Sequence, residues 1–320
     1  MIPSRRGLMV AGLAGAVAAP GASRAQGVWP SDRPIRIIAP FAAGSVADAA
    51  IGPMLPYLAA QLPGARFSLV HQQPAEGYAA LAQAAPDGFT IGIVVTPGLQ
   101  VGSIEPGARY SLRDFVYLGS ILEDPSAFFV TADSPLRDVA ALVRAAQAAP
   151  GTIAVGTGGI GTDDHLLMVE FEDAAGVRFR HVAFAQEAQI VAALAGGQVQ
   201  VASMKLGGNL GLVSAGRARA LASAGPRRYP MAPDVPTFTE AGYPIDTRNV
   251  VSLVSPAATP VPVLARLELI LAETMRNPAW IEAAARLRLP LAYQPAAATR
   301  QIVLSADAAL RALWTRHPWR

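Results

Sequence analysis

IRIIAPFAAGSVADAAIGPML, from Ile35 to Leu55, and TIAVGTGGIGTDDHLLMVEF, from Thr152 to Phe171, repeat one design about 120 residues apart. Each is a short β-branched run, then a Gly/Ala loop, then an amphipathic segment opened by a polar residue. A strand that passes through a tight loop into a helix leaves the first N–H groups of that helix without intrahelical partners, free to face a ligand. Two such helix mouths on two lobes make a trap for a small anion.

Outward from the first stretch the chain alternates strands and helices. Ala65 to Gln72 reads as a strand, Tyr78 to Ala85 as a helix ended by the turn at Pro86 to Gly88, and Phe89 to Val95 as a buried parallel strand, since its apolar run is unbroken. A βαβαβ unit with right-handed crossovers and helices on both faces accounts for this order. Phe115 to Pro135 holds two strand-like runs with EDPS between them and reads as a crossing into another lobe. The pattern then restarts: a helix at about Leu136 to Ala149, the strand TIAV, the Gly loop, a helix to about Ala175, the strand RFRHVAF, a helix from about Glu187 to Leu194, and the strand QVQVASM. A helix around Leu206 to Ser214 and the strand RARALASAG follow. After a Pro/Gly-punctuated connection from Met231 to Asn249 comes a strand at VVSLVSP. The tail from Val263 reads as helical, interrupted at Asn277, Pro278 and Pro290. Ligands of open α/β sheets bind outside the carboxyl ends of the strands, where both Gly loops sit, so the cleft between lobes is the expected site.

Residues 1–25 read as a signal peptide and not as part of the fold. Arg5 and Arg6 precede an apolar run from Leu8 to Ala19 that is short and Gly/Ala-rich for a membrane span, and Ser23 and Ala25 supply the small residues of a peptidase site. Cleavage is expected before Gln26, giving a periplasmic protein. SRRGLM resembles a twin-arginine signal with its bulky residue shifted, so twin-arginine and ordinary secretory export both stay open.

Export changes the charge argument. The chain carries 26 basic and 23 acidic residues; without Arg5, Arg6 and Arg24 the balance is 23 against 23. Near neutrality gives no case for nucleic acid or an anionic membrane surface. The absence of cysteine excludes disulfides, thiol nucleophiles and thiolate metal sites. There is no GxSxG elbow or HExxH helix, and His71, His165, His181 and His317 show no metal-ligand spacing, so neither catalysis nor a cofactor is expected.

Eight strings in order carry a resemblance: PIRIIAPFAAG (Pro34 to Gly44), APDGFT (Ala85 to Thr90), GTGGIGTDDHL (Gly156 to Leu166), HVAF (His181 to Phe184), LAGGQVQ (Leu194 to Gln200), AGRARALA (Ala215 to Ala222), PDVPTFTEAGYP (Pro233 to Pro244) and SPAATP (Ser255 to Pro260). The chain resembles the Bug-type (TctC-like) substrate-binding proteins, the extracytoplasmic receptors of tripartite tricarboxylate transporters. The resemblance implies an α/β two-lobed Venus-flytrap periplasmic binding protein, type II-like, each lobe a mixed sheet flanked by helices. Residues 26–123 and 250–320 would form lobe one and 124–249 lobe two, with a hinge near Glu123 and Asn249. It further implies a monomeric receptor that closes on a small organic acid and passes it to membrane permease subunits. In the family, the loops matching Phe41 to Asp48 and Gly158 to Asp163 hold carboxylates through backbone N–H groups, hydroxyls and waters. The residues implied at the ligand are Phe41, Ala43, Gly44, Ser45, Val46, Asp48, Thr96, Gly158, Gly159, Ile160, Gly161, Thr162, Asp163, Phe184, Met204 and Lys205.

The departures from the family pattern bear on the ligand. Ser45, Val46 and Ala47 replace a run of Gly and Thr, and QQPAEGY shortens a Gly-rich loop, which leaves room for a larger pocket. Ala185, Gln186 and Glu187 stand where the family has Lys-Gly-Ser, Asp163 and Asp164 replace serines, and Met204 and Lys205 replace an Asp-Asn pair. Two carboxylates at an anion-binding helix mouth would repel a second carboxylate to a degree set by screening. This points to a monocarboxylate or an acid bearing an amine or amide. Alternatives stay open: Asp163 and Asp164 as acids that complement the helix dipole, Lys205, the chain's only lysine, as a solvated surface group, Asp48 as helix-start residue or lid, and His165 as a structural hydrogen-bonding partner. Phe41 and Phe184 read as pocket walls. Two other functions remain. GTGGIG after a strand fits an exported nicotinamide-dinucleotide oxidoreductase, although the acid expected about 20 residues on falls near His181. The same flytrap could also serve as a sensor input.

Overall fold

The computed structural model describes residues 29–41 and 43–319. The signal peptide expected at residues 1–25 lies outside them.

The first stretch folds as read: β1 (Ile35–Ala39), a loop, and α1 (Val46–Gln61). Pro53 and Pro56 lie inside α1, and each interior proline costs about 3 kcal/mol. Ile51, Met54, Leu58 and, just past its end, Leu62 are buried, and full burial of each stabilises by about 1.5–3 kcal/mol. Packing therefore carries the helix through both prolines. β2 (Phe67–His71), α2 (Pro74–Ala82) and β3 (Thr90–Val95) complete a parallel trio in the order β2-β1-β3. The short helix α3 (Gly98–Ile104) then follows, in a stretch the sequence pattern left without an element.

The two runs expected between Phe115 and Pro135 are one strand. β4 (Phe115–Thr131) is continuous for 17 residues. Its first part pairs antiparallel with β9 (Arg248–Pro256), ending at Pro125 opposite Arg248. From Ser126 it pairs with β7 (Val201–Lys205) and from Ala127 also with β8 (Ala218–Ser223). EDPS looks like a loop because proline donates no ladder bond. Here Pro125 falls where the strand changes partners, the position at which a missing N–H disturbs least.

The second half repeats the first. α4 (Val139–Ala148), β5 (Ala154–Thr157), α5 (Asp163–Ala175), β6 (Arg180–Ala183), α6 (Glu187–Ala195), β7 and α7 (Leu206–Ser214) build a parallel trio in the order β6-β5-β7. The whole path runs β2-β1-β3-β9-β4-β7-β5-β6, with β8 on β4. Each half has a core on both sheet faces: Ile37, Ile51 and Leu271 against Tyr78, Leu99 and Phe115 in the first, Phe128, Leu167 and Phe171 against Phe129, Ile190 and Leu206 in the second.

The tail holds α8 (Val261–Arg276), α9 (Pro278–Arg286) and α10 (Ala296–Arg316). Between α9 and α10 the chain is extended and bonds to β4, with the Ser120 N–H donating to Gln294 O at 3.0 Å and the Ala292 N–H to Ile121 O at 3.0 Å. α10 spans both halves: Val303 is buried in the first, whereas Leu310 and Leu313, with Trp319 beyond, pack into the second. Among the described residues no helix is long and apolar enough to cross a membrane.

Candidate functional site

The carboxyl ends of β1 and β3, and the loops after β5 and β7, open on one cavity of about 720 Å³. The first half contributes Phe41, Gly44, Ser45, Tyr78, Thr96 and Glu105; the second contributes Ile160 to Asp163, Glu187 and Lys205. Leu122 and Asp124 of β4 and Asn249 and Val251 of β9 lie between them.

Ser45 caps α1, its Oγ accepting from the Asp48 N–H at 3.2 Å. Asp48 folds back on the same loop: Oδ2 accepts from the Gly44 N–H at 2.8 Å and Oδ1 lies 2.7 Å from His71 Nε2. The Gly44 bond, with help from His71, holds the Asp48 carboxyl below its ordinary range. Asp48 braces the loop and does not border the cavity.

At α5 the cap is Thr162, whose Oγ1 accepts from the His165 N–H at 3.3 Å and donates to Gly159 O at 2.7 Å. Thr162→Ala is expected to lower stability by about 1 kcal/mol, read from urea unfolding. His165 is the structural partner that its position suggested. Its Nδ1 accepts from the Gly161 N–H at 3.3 Å and its ring centroid lies 4.6 Å from that of His181. Burial, then the His181 charge, push its pKa down to about 4, so the ring is a neutral acceptor at neutral pH.

The two aspartates that follow the cap have different surroundings. Asp163 faces the cavity, and both its oxygens meet Lys205 Nζ, Oδ1 at 3.2 Å and Oδ2 at 3.1 Å. Burial works against the Lys205 ammonium, but Asp163 and Asp164 outweigh it and hold its pKa above the ordinary lysine range. Asp164 is only 5 % exposed and turns inward; its Oδ1 is buried without a hydrogen-bond partner. Burial, reinforced by the Asp163 charge, raises the Asp164 pKa to about 8.

A third carboxylate arrives from β4. Asp124, also 5 % exposed, accepts from the Gly207 N–H at 2.7 Å and thereby occupies the mouth of α7. Burial lifts its pKa to about 7. Residue 207 must be glycine for this approach, because a Cβ there would lie 2.6 Å from Tyr229 Oη and 2.9 Å from Asp124 Oδ2. Glu187, at the start of α6, accepts from Asn209 Nδ2. Lys205 is the one cationic side chain among the residues that line the cavity.

Of the residues expected at the ligand, Phe41, Gly44, Ser45, Thr96, Ile160, Gly161, Thr162, Asp163 and Lys205 line the cavity. Ala43, Asp48, Gly158 and Gly159 belong to the same loops without lining it, and Val46 opens α1. Met204 and Phe184 serve the core instead. Met204 is fully buried against Ile190 and Leu206, because adjacent residues of a strand face opposite sides and Lys205 takes the cavity side. The Phe184 ring packs on that same core, beside Gly156. The Thr96 hydroxyl is engaged on β9, donating to Arg248 O at 2.8 Å and accepting from the Val250 N–H at 2.9 Å. Asp124, Glu105, Tyr78 and Asn249 were not anticipated, since strand pairing and helix packing bring them in from distant parts of the chain.

Two α/β halves that share crossing strands and open on a common cavity at helix N-termini define a two-lobed solute-binding protein of the periplasmic type. The chain belongs to the tripartite tricarboxylate transporter family receptors (TctC), whose profile matches residues 72–311. It is 30% identical over 267 residues to the UPF0065 protein of the tcbD-tcbE intergenic region of Pseudomonas sp. (strain P51), covering 81% of this chain and 79% of that protein. A TctC solute-binding protein from Polaromonas superposes with a TM-score of 0.82 at 25% identity, covering 90% of this chain and 99% of that one. Rpa4515 of R. palustris, solved with adipate, superposes with a TM-score of 0.72 at 23% identity, covering 90% and 97%.

Proposed function

We propose that this receptor is exported to the periplasm, is cleaved near Ala25, captures a small organic acid in the cleft and delivers it to a tripartite tricarboxylate-type membrane permease, without catalysis of its own. The carrying observation is the cavity of about 720 Å³ lined from both halves by the first turns of α1 and α5. Its volume suits a small ligand. Helix-start N–H groups hold an anion without burying an unpaired cationic side chain. The adipate in the R. palustris neighbour is a ligand of that chemistry. Of the described residues, lobe one takes those up to Glu123 and those from Val250 into α10, lobe two takes 124–249 with the end of α10 closing its core, and the hinge lies where Glu123 and Asp124 pair with Val250 and Asn249. The Arg248 guanidinium reaches Glu123 at 3.1 Å and also Asp246, which tethers that crossing. Asp163, in the first turn of α5, would set like charge against a pyrophosphate, which argues against a dinucleotide at the GTGGIG loop.

Thermal-shift screening against mono- and dicarboxylates, amino acids and their amides tests this. A ligand at 100 times its dissociation constant adds about 2.7 kcal/mol, which for a chain of this size moves the midpoint by roughly 4–5 °C. Silence from every acid, with a shift from a nicotinamide dinucleotide, would overturn the reading.

A further inference from the structure

The helix starts that reach the cleft, those of α1, α2 and α3 from the first half and of α5, α6 and α7 from the second, are not equivalent. The mouth of α7 already holds the Asp124 carboxylate on the Gly207 N–H. The first turn of α5 contains Asp163 and Asp164. Glu187 stands in the first turn of α6. All three helix mouths of the second half therefore carry the protein's own acidic side chains, and a ligand carboxylate finds none of them clear. At α1 the acid of the first turn, Asp48, is turned onto Gly44 and His71 and away from the cavity, so that mouth remains available.

The charge balance points the same way. Glu105, Asp124, Asp163 and Glu187 line the cavity against one cation, and Lys205 is bound by both oxygens of Asp163. Arg248, close by at the hinge, is engaged by Glu123 and Asp246. Asp164 stands behind this wall with its Oδ1 buried and unpartnered. The second carboxylate of a diacid spanning the cleft would enter that wall uncompensated, whereas an ammonium there would be attracted by Asp163 and Glu187.

Resting on the receptor reading, we propose that the cleft takes an amine-bearing carboxylic acid, its carboxylate on the mouth of α1 and its ammonium on the acidic wall of Asp124, Asp163 and Glu187. The two ends of one molecule would then engage the two halves separately.

Calorimetric titration of the purified protein with matched series tests this: ω-amino acids from β-alanine to ε-aminocaproate, the corresponding dicarboxylates, and monocarboxylates. At least one amino acid should bind about tenfold or more tighter than its dicarboxylate partner, a difference of roughly 1.4 kcal/mol or more. Glu187 is exposed on its helix start, so Glu187→Gln should fold normally and shrink that preference several-fold. Binding of dicarboxylates as tight as or tighter than the amino acids, or a preference unmoved by Glu187→Gln, would overturn the proposal and leave the receptor reading intact. A failure of all three series overturns the proposal; the receptor reading falls only if the wider acid panel also gives no thermal shift.

Discussion

Lys205→Met is expected to lower the thermal midpoint at neutral pH by up to about 10 °C. Removing one partner of a buried ion pair leaves the other charge uncompensated, at about 3–5 kcal/mol, and for a chain of this size each kcal/mol moves the midpoint by roughly 1.5–2 °C. The Asp163 side chain is 9 % exposed, so water cannot replace the lost ammonium. Ser126 Oγ, at 3.5 Å, is too distant a donor to do so. Asp124, whose pKa lies at about 7, adds partial like charge nearby. Adding Asp163→Asn should recover much of the loss, and a double-mutant cycle measures the coupling. A Lys205→Met protein within about 1 kcal/mol of the parent at every pH would mean that the pair is no more than a solvated surface contact.

Asp164 makes the protein less stable as the solution becomes more alkaline. Its folded pKa is about 8, against about 3.9 in an unfolded chain, so folding takes up a proton between those values. The stability this group contributes is complete below about pH 4 and is lost as pH rises through about 8, a total on the order of a few kcal/mol. Asp124, raised to about 7, acts in the same direction over an overlapping window. Asp164→Asn keeps the neutral form at all pH values. It should flatten the pH dependence of urea unfolding between about pH 5 and 8 and make the variant the more stable protein at the alkaline end. Adding Asp124→Asn should flatten it further. Parallel curves for parent and Asp164→Asn would show that Asp164 is ionised in the folded protein.

The duplicated strand-loop-helix stretches were legible because each is a local pattern. β1 and β5 are short apolar runs, Ser45 and Thr162 are cap residues, and Gly44 and Gly161 supply the positive φ that lets each loop turn. What sequence could not show is what distant residues do to one another. Asp124 lies in a string that reads as a connector, and its role comes from an N–H 83 residues away. Met204 and Lys205 carry equal weight as letters, yet the alternation of a strand sends one into the core and the other into the cleft. The extended segment before α10 was hidden for a similar reason, since its bonds are to β4 and its own sequence shows only proline interruptions.

The reach of α10 has a consequence for the order in which the molecule can be made. The second core encloses Phe128, Leu167 and Phe171, but Leu310, Leu313 and Trp319 close it. A ribosome delivers these groups 139 to 148 residues after Phe171. Until then the second half displays an uncovered apolar surface, the state in which growing chains aggregate or recruit chaperones. Completion of the second core is therefore a late event that follows synthesis of α10.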